Sequence, residues 1–174
     1  MKIVVLNGSP RKGCNTETMA NAFVEAAGKK HEAVRLDIAG MNIKGCMACM
    51  YCWAHNGQCV QKDDMAKVFA ELKDADMVVF ASPIYWFDIT AQLKTVIDRL
   101  YALGSVGFNF HKTALLLDAG ADDVFTAAVA QYKATTAYLK WEDMGIIKIP
   151  NMENKDSMKT APQLAEVVKL AESL

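Results

Sequence analysis

Short apolar runs bounded by polar or turn-forming residues alternate along this chain with stretches whose apolar positions recur at helical spacing. The run Lys2 to Asn7 is β-branched and ends at Gly8-Ser-Pro10, which predicts a strand and a loop. From Asn15 to Gly28, Met19, Phe23 and Ala27 fall on one helical face. Glu32 to Ile38 alternates weakly and reads as a second strand. Asp63 and Asp64 then open a helix with Met65, Val68, Phe69 and Leu72 on one side. Met77 to Ala81 is a third, buried strand, and Gln92 to Leu103 a helix. Thr113 to Leu117 is a fourth strand, Thr126 to Leu139 a helix, Gly145 to Ile149 a fifth strand, and Ala161 to Leu174 a closing helix.

Strands alternating with helices, without repeats or low-complexity linkers, imply right-handed βαβ units and a parallel sheet covered on both faces. The expected fold is therefore α/β, a three-layer doubly wound sandwich around a five-stranded sheet. The order 2-1-3-4-5 is common for such a sheet and puts a ligand crevice between the loops after the first and third strands. A polar, cysteine-bearing excursion at about 42–62 reads as an insertion into one domain spanning 1–174.

Composition narrows the function. With 174 residues, 52% hydrophobic and 22% charged, the chain can bury a substantial core in one domain. Its 19 basic and 20 acidic residues leave a net charge of -1, so neither nucleic acid nor an anionic membrane is an expected partner. Met1 leads straight into a strand without a signal-like pattern, and no apolar run approaches the roughly 20 residues that span a bilayer. A soluble, cytoplasmic protein acting on small molecules or other proteins is expected.

The loop after the first strand, Gly8 to Thr16, offers hydroxyls from Ser9 and Thr16, an amide from Asn15 and the cation Arg11 at the start of a helix. Free N–H groups and the helix dipole make such a place attractive to a phosphate. Neither the Gly-x-Gly-x-x-Gly spacing of dinucleotide folds nor the Gly-Lys-Ser/Thr ending of triphosphate loops is present, which favours a mononucleotide. The competing reading is a polar turn capped by Asn15 or Thr16. After the third strand, Ser82-Pro83-Ile84 leads into the consecutive aromatics Tyr85, Trp86 and Phe87. A planar amphipathic ring system needs apolar walls and backbone donors at its polar edge, and this segment supplies both. Core or subunit packing is as good an account of Phe87.

Asn7 to Thr16, the cysteine-rich stretch running into Lys62 to Met65, Ser82 to Tyr85 and Gln92 to Arg99 together resemble the NADPH-dependent FMN reductases of the flavodoxin-like class. Among these the chain is most similar to the iron–sulfur flavoproteins, over about the first hundred residues. The resemblance implies that Ser9, Arg11, Asn15 and Thr16 bind the FMN phosphate and that Pro83, Ile84, Tyr85 and Trp86 border the isoalloxazine. It also implies a third contact from Ala119 and Gly120 in the loop after the fourth strand. By the same resemblance Asp98 and Arg99 are structural or interfacial, and the proteins assemble as homodimers or homotetramers.

Four of the five cysteines, Cys46, Cys49, Cys52 and Cys59, form a C-x2-C-x2-C-x6-C pattern. This spacing suits a [4Fe–4S] cluster, as the resemblance also implies; free thiols or zinc remain alternatives. The expected activity is an FMN-dependent oxidoreductase that takes electrons from NAD(P)H, bound transiently, and passes them by ping-pong turnover to a small acceptor such as a flavin or quinone, or to a redox protein. The flavin carries the chemistry, so no catalytic side chain is assigned. The rival readings are an electron carrier without a substrate of its own, and a thiol module sensing oxidant or metal.

Overall fold

In the computed structural model, which describes residues 1–174, strands β1 (Lys2–Asn7), β2 (Glu32–Asp37), β3 (Met77–Pro83), β4 (Lys112–Asp118) and β5 (Glu142–Ile149) form one sheet. All neighbours are parallel and the order is β2-β1-β3-β4-β5, as expected. β1 and β3 are central and almost wholly buried, whereas the edge strands β2 and β5 are partly exposed. That gradient explains why the central strands are continuous apolar runs and β2 is not.

Side chains alternate across the pleat, so β1 feeds two cores. Val4 and Leu6 pack with α3 (Met65–Leu72), α4 (Ala91–Arg99) and α6 (Thr126–Leu139), through Val68, Leu93 and Tyr132 among others. Ile3 and Val5 pack with α1 (Asn15–Ala27) and α8 (Leu164–Glu172), through Phe23 and Val167. Short helices α2 (Tyr51–Ala54), α5 (Tyr101–Gly104) and α7 (Ser157–Thr160) complete the chain.

Several boundaries depart from the sequence pattern. The helix expected over Gln92 to Leu103 breaks at Leu100, whose N–H is shared between the carbonyls of Val96 and Ile97 and tightens the turn. Leu100 stays buried, so the apolar spacing survives a break that periodicity cannot register. The closing helix, expected from Ala161, begins only at Leu164, after Pro162, and a separate short helix, Ser157–Thr160, precedes it. β5 begins earlier than Gly145, at Glu142, whose N–H donates to the His111 carbonyl at 2.7 Å. Here main-chain pairing at an edge overrides the polarity of Glu142 and Asp143.

The cysteine-bearing excursion rests on a fixed base. Asp64 accepts from the Asn42 N–H at 2.8 Å, Asp63 accepts from the Lys44 N–H at 3.0 Å, and Gln61 donates to the Gly45 carbonyl at 2.9 Å. These bonds close both ends of the segment onto α3. No helix of the protein is long and apolar enough to cross a membrane.

Candidate functional site

Parallel pairing brings the carboxyl ends of β1, β3 and β4 side by side: Asn7 lies opposite Ala81, and Pro83 opposite Asp118. The loops that follow them therefore share one edge of the sheet, the place where doubly wound folds take ligands. Gly8 is required where the first loop leaves. Its N–H donates to the Ala81 carbonyl, Thr90 Oγ1 donates to its carbonyl at 2.8 Å, and an added Cβ would stand 2.8 Å from that of Leu93.

From Gly8 the phosphate-type loop is held by its own polar groups. Asn7 Nδ2 donates to Asp37 and its Oδ1 accepts from the Ser9 N–H at 3.2 Å. Ser9 Oγ accepts from the Arg11 N–H at 3.3 Å, and Glu17 accepts from the Gly13 N–H at 2.6 Å. Gly13, at φ 62°, takes a left-handed turn that favours glycine. The loop is thus shaped before any ligand arrives.

The polar residues expected there divide into two groups. Arg11 is exposed, and the Ser9 hydroxyl keeps only long contacts to Arg11 main chain. Asn15 is nearly inaccessible, and its amide is fully used: Nδ2 donates to the carbonyls of Met152 and Asn154, and Oδ1 accepts from the Met158 N–H. Thr16 turns inward, donating to Asp118 at 2.5 Å. What Asn15 and Thr16 offer a ligand is main-chain N–H in the first turn of α1, where no intrahelical acceptor exists.

Two side chains given no role by the sequence join this edge. Asp118 is buried, and that burial pushes its carboxyl up to about 6 despite the Thr16 hydroxyl and the Arg11 charge, which act in the opposite direction. The Lys155 ammonium lies 3.7 Å from where a side chain on Gly13 would begin. Lys155 is delivered by the segment that Asn15 clamps, so only the Asn15 side chain, polar yet committed inward, carries any trace of it.

Across the edge, the Ile84 N–H donates to the Asp118 carbonyl at 2.8 Å, and Tyr85 and Asp88 bond each other's main chain. The N–H groups of Ile84 and Tyr85 are thus occupied, leaving that of Trp86 as the backbone donor of this turn. Trp86 and Phe87 form the tip of this turn with φ of 50° and 70°, in the left-handed region that bulky residues avoid. Trp86 is 93% exposed and stacks only against Phe87, edge to face. On the β4 side, Ala119 donates to Ile149 and accepts from Met152, leaving Gly120 as a bare stretch of main chain. Pro83 is buried at the strand end, so the wall toward this edge is Ile84, Tyr85 and Trp86.

These residues suit a flavin mononucleotide: a rigid cationic loop with free helix N–H groups beside a strained aromatic turn and small residues. The chain matches the family model described as NADPH-dependent FMN reductase over residues 1–153. This chain belongs to that family. A relative from Archaeoglobus fulgidus, named an iron-sulfur flavoprotein, is 32% identical over 99% of this chain and 80% of its own length. Among solved structures, an NAD(P)H:quinone oxidoreductase from Methanothermobacter marburgensis has a TM-score of 0.76 at 16% identity, over 99% of this chain and 96% of that one. An azoreductase from Bacillus anthracis has a TM-score of 0.74 at 20% identity, over the full length of both. At those identities the two structures speak for the flavodoxin-like fold alone. As a member of the FMN reductase family, the chain is an FMN-dependent oxidoreductase.

A second cluster sits in the excursion between β2 and α3. Cys46, Cys49, Cys52 and Cys59 all line one small cavity, floored by Arg99. No three His, Cys, Asp or Glu side chains converge tightly enough to hold a single metal ion. Cys14, by contrast, is buried in the loop before α1, its Sγ against the Lys12 carbonyl.

Proposed function

We propose that Ser9, Arg11 and the first N–H groups of α1 hold the FMN phosphate, with Asn15 and Thr16 contributing main chain and Lys155 a second cation. Each charge-assisted hydrogen bond of this kind stabilises the complex by about 1.5 to 3 kcal/mol. Ile84, Tyr85 and Trp86, continuing from Pro83, then border the ring on one side, with Ala119 and Gly120 on the other. The single observation that carries this reading is the exposed Arg11 on a pre-shaped loop, at the helix start and next to the strained 85–88 turn.

When bound, FMN supplies two-electron chemistry toward a reduced nicotinamide and either one- or two-electron chemistry toward an acceptor. The Gly8 to Thr16 loop and the Ile84 to Trp86 turn would hold it in place, with one face left open beside the exposed Trp86. An open face suits donor and acceptor using the same place in turn, hence ping-pong turnover of NAD(P)H with a flavin, a quinone or a redox protein. Parallel double-reciprocal lines in steady-state assays are the expected result; intersecting lines contradict it.

We also read the four cysteines as ligands of a [4Fe–4S] cluster. The support is that all four line one cavity at C-x2-C-x2-C-x6-C spacing, an arrangement suited to a multi-atom cluster, whose ligand sulfurs stand further apart than those around one ion. The name carried by the relative from Archaeoglobus fulgidus points the same way. The test is an absorbance spectrum of anaerobically purified protein before and after NADPH, with iron and sulfide assayed. Flavin bands that bleach, over a broad iron–sulfur absorbance, are expected. Material transparent in the visible region contradicts the flavin reading, and flavin without iron contradicts the cluster alone.

We infer, further, that the chain works as a homodimer or homotetramer. An apolar groove of about 620 Å3, lined by Trp53, Tyr101, Phe108, Tyr138 and Trp141 among others, lies open beside the cysteine cavity. Tyr138 is 87% and Trp53 54% exposed. Apolar surface of this extent on one chain is the kind that a second copy covers.

A further inference from the structure

Arg99 is among the largest fully buried side chains of the protein, 2% exposed, in a fold whose other fully buried large residues are apolar. Its Nη1 donates to Asp63 Oδ2 at 2.8 Å and to the Lys44 carbonyl at 2.7 Å, and its Nη2 donates to Asp63 Oδ1 at 3.1 Å. Both partners are buried, so the guanidinium is clamped as a bidentate pair and cannot swing away. One donor remains: the Arg99 Nε–H is buried and has no hydrogen-bond partner. An unused buried donor on a cation is costly, and fully used guanidiniums are the rule. The same side chain lines the cavity formed by Cys46, Cys49, Cys52 and Cys59.

We propose that Arg99 is the positioning residue of the cysteine site, its free Nε–H donating to one of the cysteine sulfurs that line its cavity and its charge offsetting the anionic sulfur ligands. This rests on the reading of the four cysteines as cluster ligands. The four cysteines and Arg99 line the same small cavity, so the unused Nε–H is buried within the cysteine site itself. Asp63 ties the arrangement to the fold. It also accepts from the Lys44 and Met65 N–H groups, so the entry to the excursion, the start of α3 and the end of α4 meet at one ion pair. A fixed cation and a hydrogen bond to a ligand sulfur favour the more negative, reduced state of a cluster and so raise its potential.

The experiment compares wild-type protein with Arg99→Lys, which keeps a cation for Asp63 but loses the Nε–H. The pair Arg99→Gln with Asp63→Asn, which removes both charges without stranding either, covers the case in which the lysine variant does not fold. Iron and sulfide content, FMN content, thermal midpoint and cluster potential by EPR-monitored titration are read on each anaerobic protein. The expected result is a folded, FMN-loaded variant whose cluster is lost or is reduced at lower potential, by about 59 mV for a tenfold change in the one-electron equilibrium. A folded variant with wild-type iron content and an unchanged potential overturns the role of Arg99 while leaving the cluster reading standing. Wild-type protein free of iron and sulfide overturns both.

Discussion

Asp118 is a carboxyl at the end of β4 whose surroundings favour the neutral form, and its titration bears on stability. Its folded value, about 6, lies above the ordinary carboxylate value near 3.8 because burial outweighs the Thr16 hydroxyl and the Arg11 charge. The folded state therefore holds a proton that the unfolded chain gives up. The resulting stabilisation is complete below pH 3.8 and is lost as pH rises through about 6, on the order of 2 to 3 kcal/mol. Asp118→Asn removes the charge and is expected to raise the thermal midpoint at pH 8, with the gain shrinking toward pH 5; a gain independent of pH contradicts this account. At the ligand side of the same loop, Arg11→Ala removes one charge-assisted contact. It is expected to weaken FMN binding by about 2 kcal/mol, roughly thirtyfold, in a fluorescence titration of flavin-stripped protein. Arg11 and Ser9 were singled out because they are polar residues in a strand-to-helix loop, and the structure keeps both in that loop, Arg11 exposed and Ser9 buried. Asn15 and Thr16 carry the same signal for another reason: they are polar because they bind Met152, Asn154 and Asp118 across the fold. Lys155 was illegible because nothing local marks a residue that another element must deliver.

The element that departs most from local preference is the turn at Tyr85–Asp88. Trp86 and Phe87 both adopt positive φ, each at a cost of about 1 to 2 kcal/mol relative to glycine. Strain held at a solvent-exposed tip points to use rather than packing. Phe87→Gly is expected to raise the thermal midpoint of flavin-free protein by a few degrees and to weaken FMN binding; a lowered midpoint would mean that the phenyl ring packs more than it strains. The pattern of apolar residues revealed every strand, because strand existence is set by burial on both sheet faces. It misplaced the ends of α4, β5 and α8, which are set by a shared N–H at Leu100, by main-chain pairing at Glu142 and by Pro162. The short helix α2 inside the cysteine segment was also missed, since no buried face marks it.

At the scale of the whole molecule, the open edge of the sheet and the apolar groove are both unfinished surfaces in a single chain. The groove rim at Tyr138 gives the assembly reading a direct handle. Tyr138→Glu is expected to convert a dimer or tetramer to smaller species in light scattering, and a monomeric wild type contradicts the reading. The strand order was legible because alternating βα units with short connections allow few topologies, and the crevice at the sheet edge follows from that order. The wall shared by the cysteine cavity and the groove, at Cys46, Ala48, Met50 and Tyr101, comes from α5 folding against the excursion, a long-range contact that no spacing encodes. The flavin site as a whole depends on a phosphate held at the start of α1. The most direct measurement is a fluorescence titration of flavin-stripped protein with FMN and, in parallel, with riboflavin, which has the same ring and no phosphate. FMN is expected to bind at least a hundredfold more tightly; equal affinity for the two would contradict the assignment of the Gly8 to Thr16 loop.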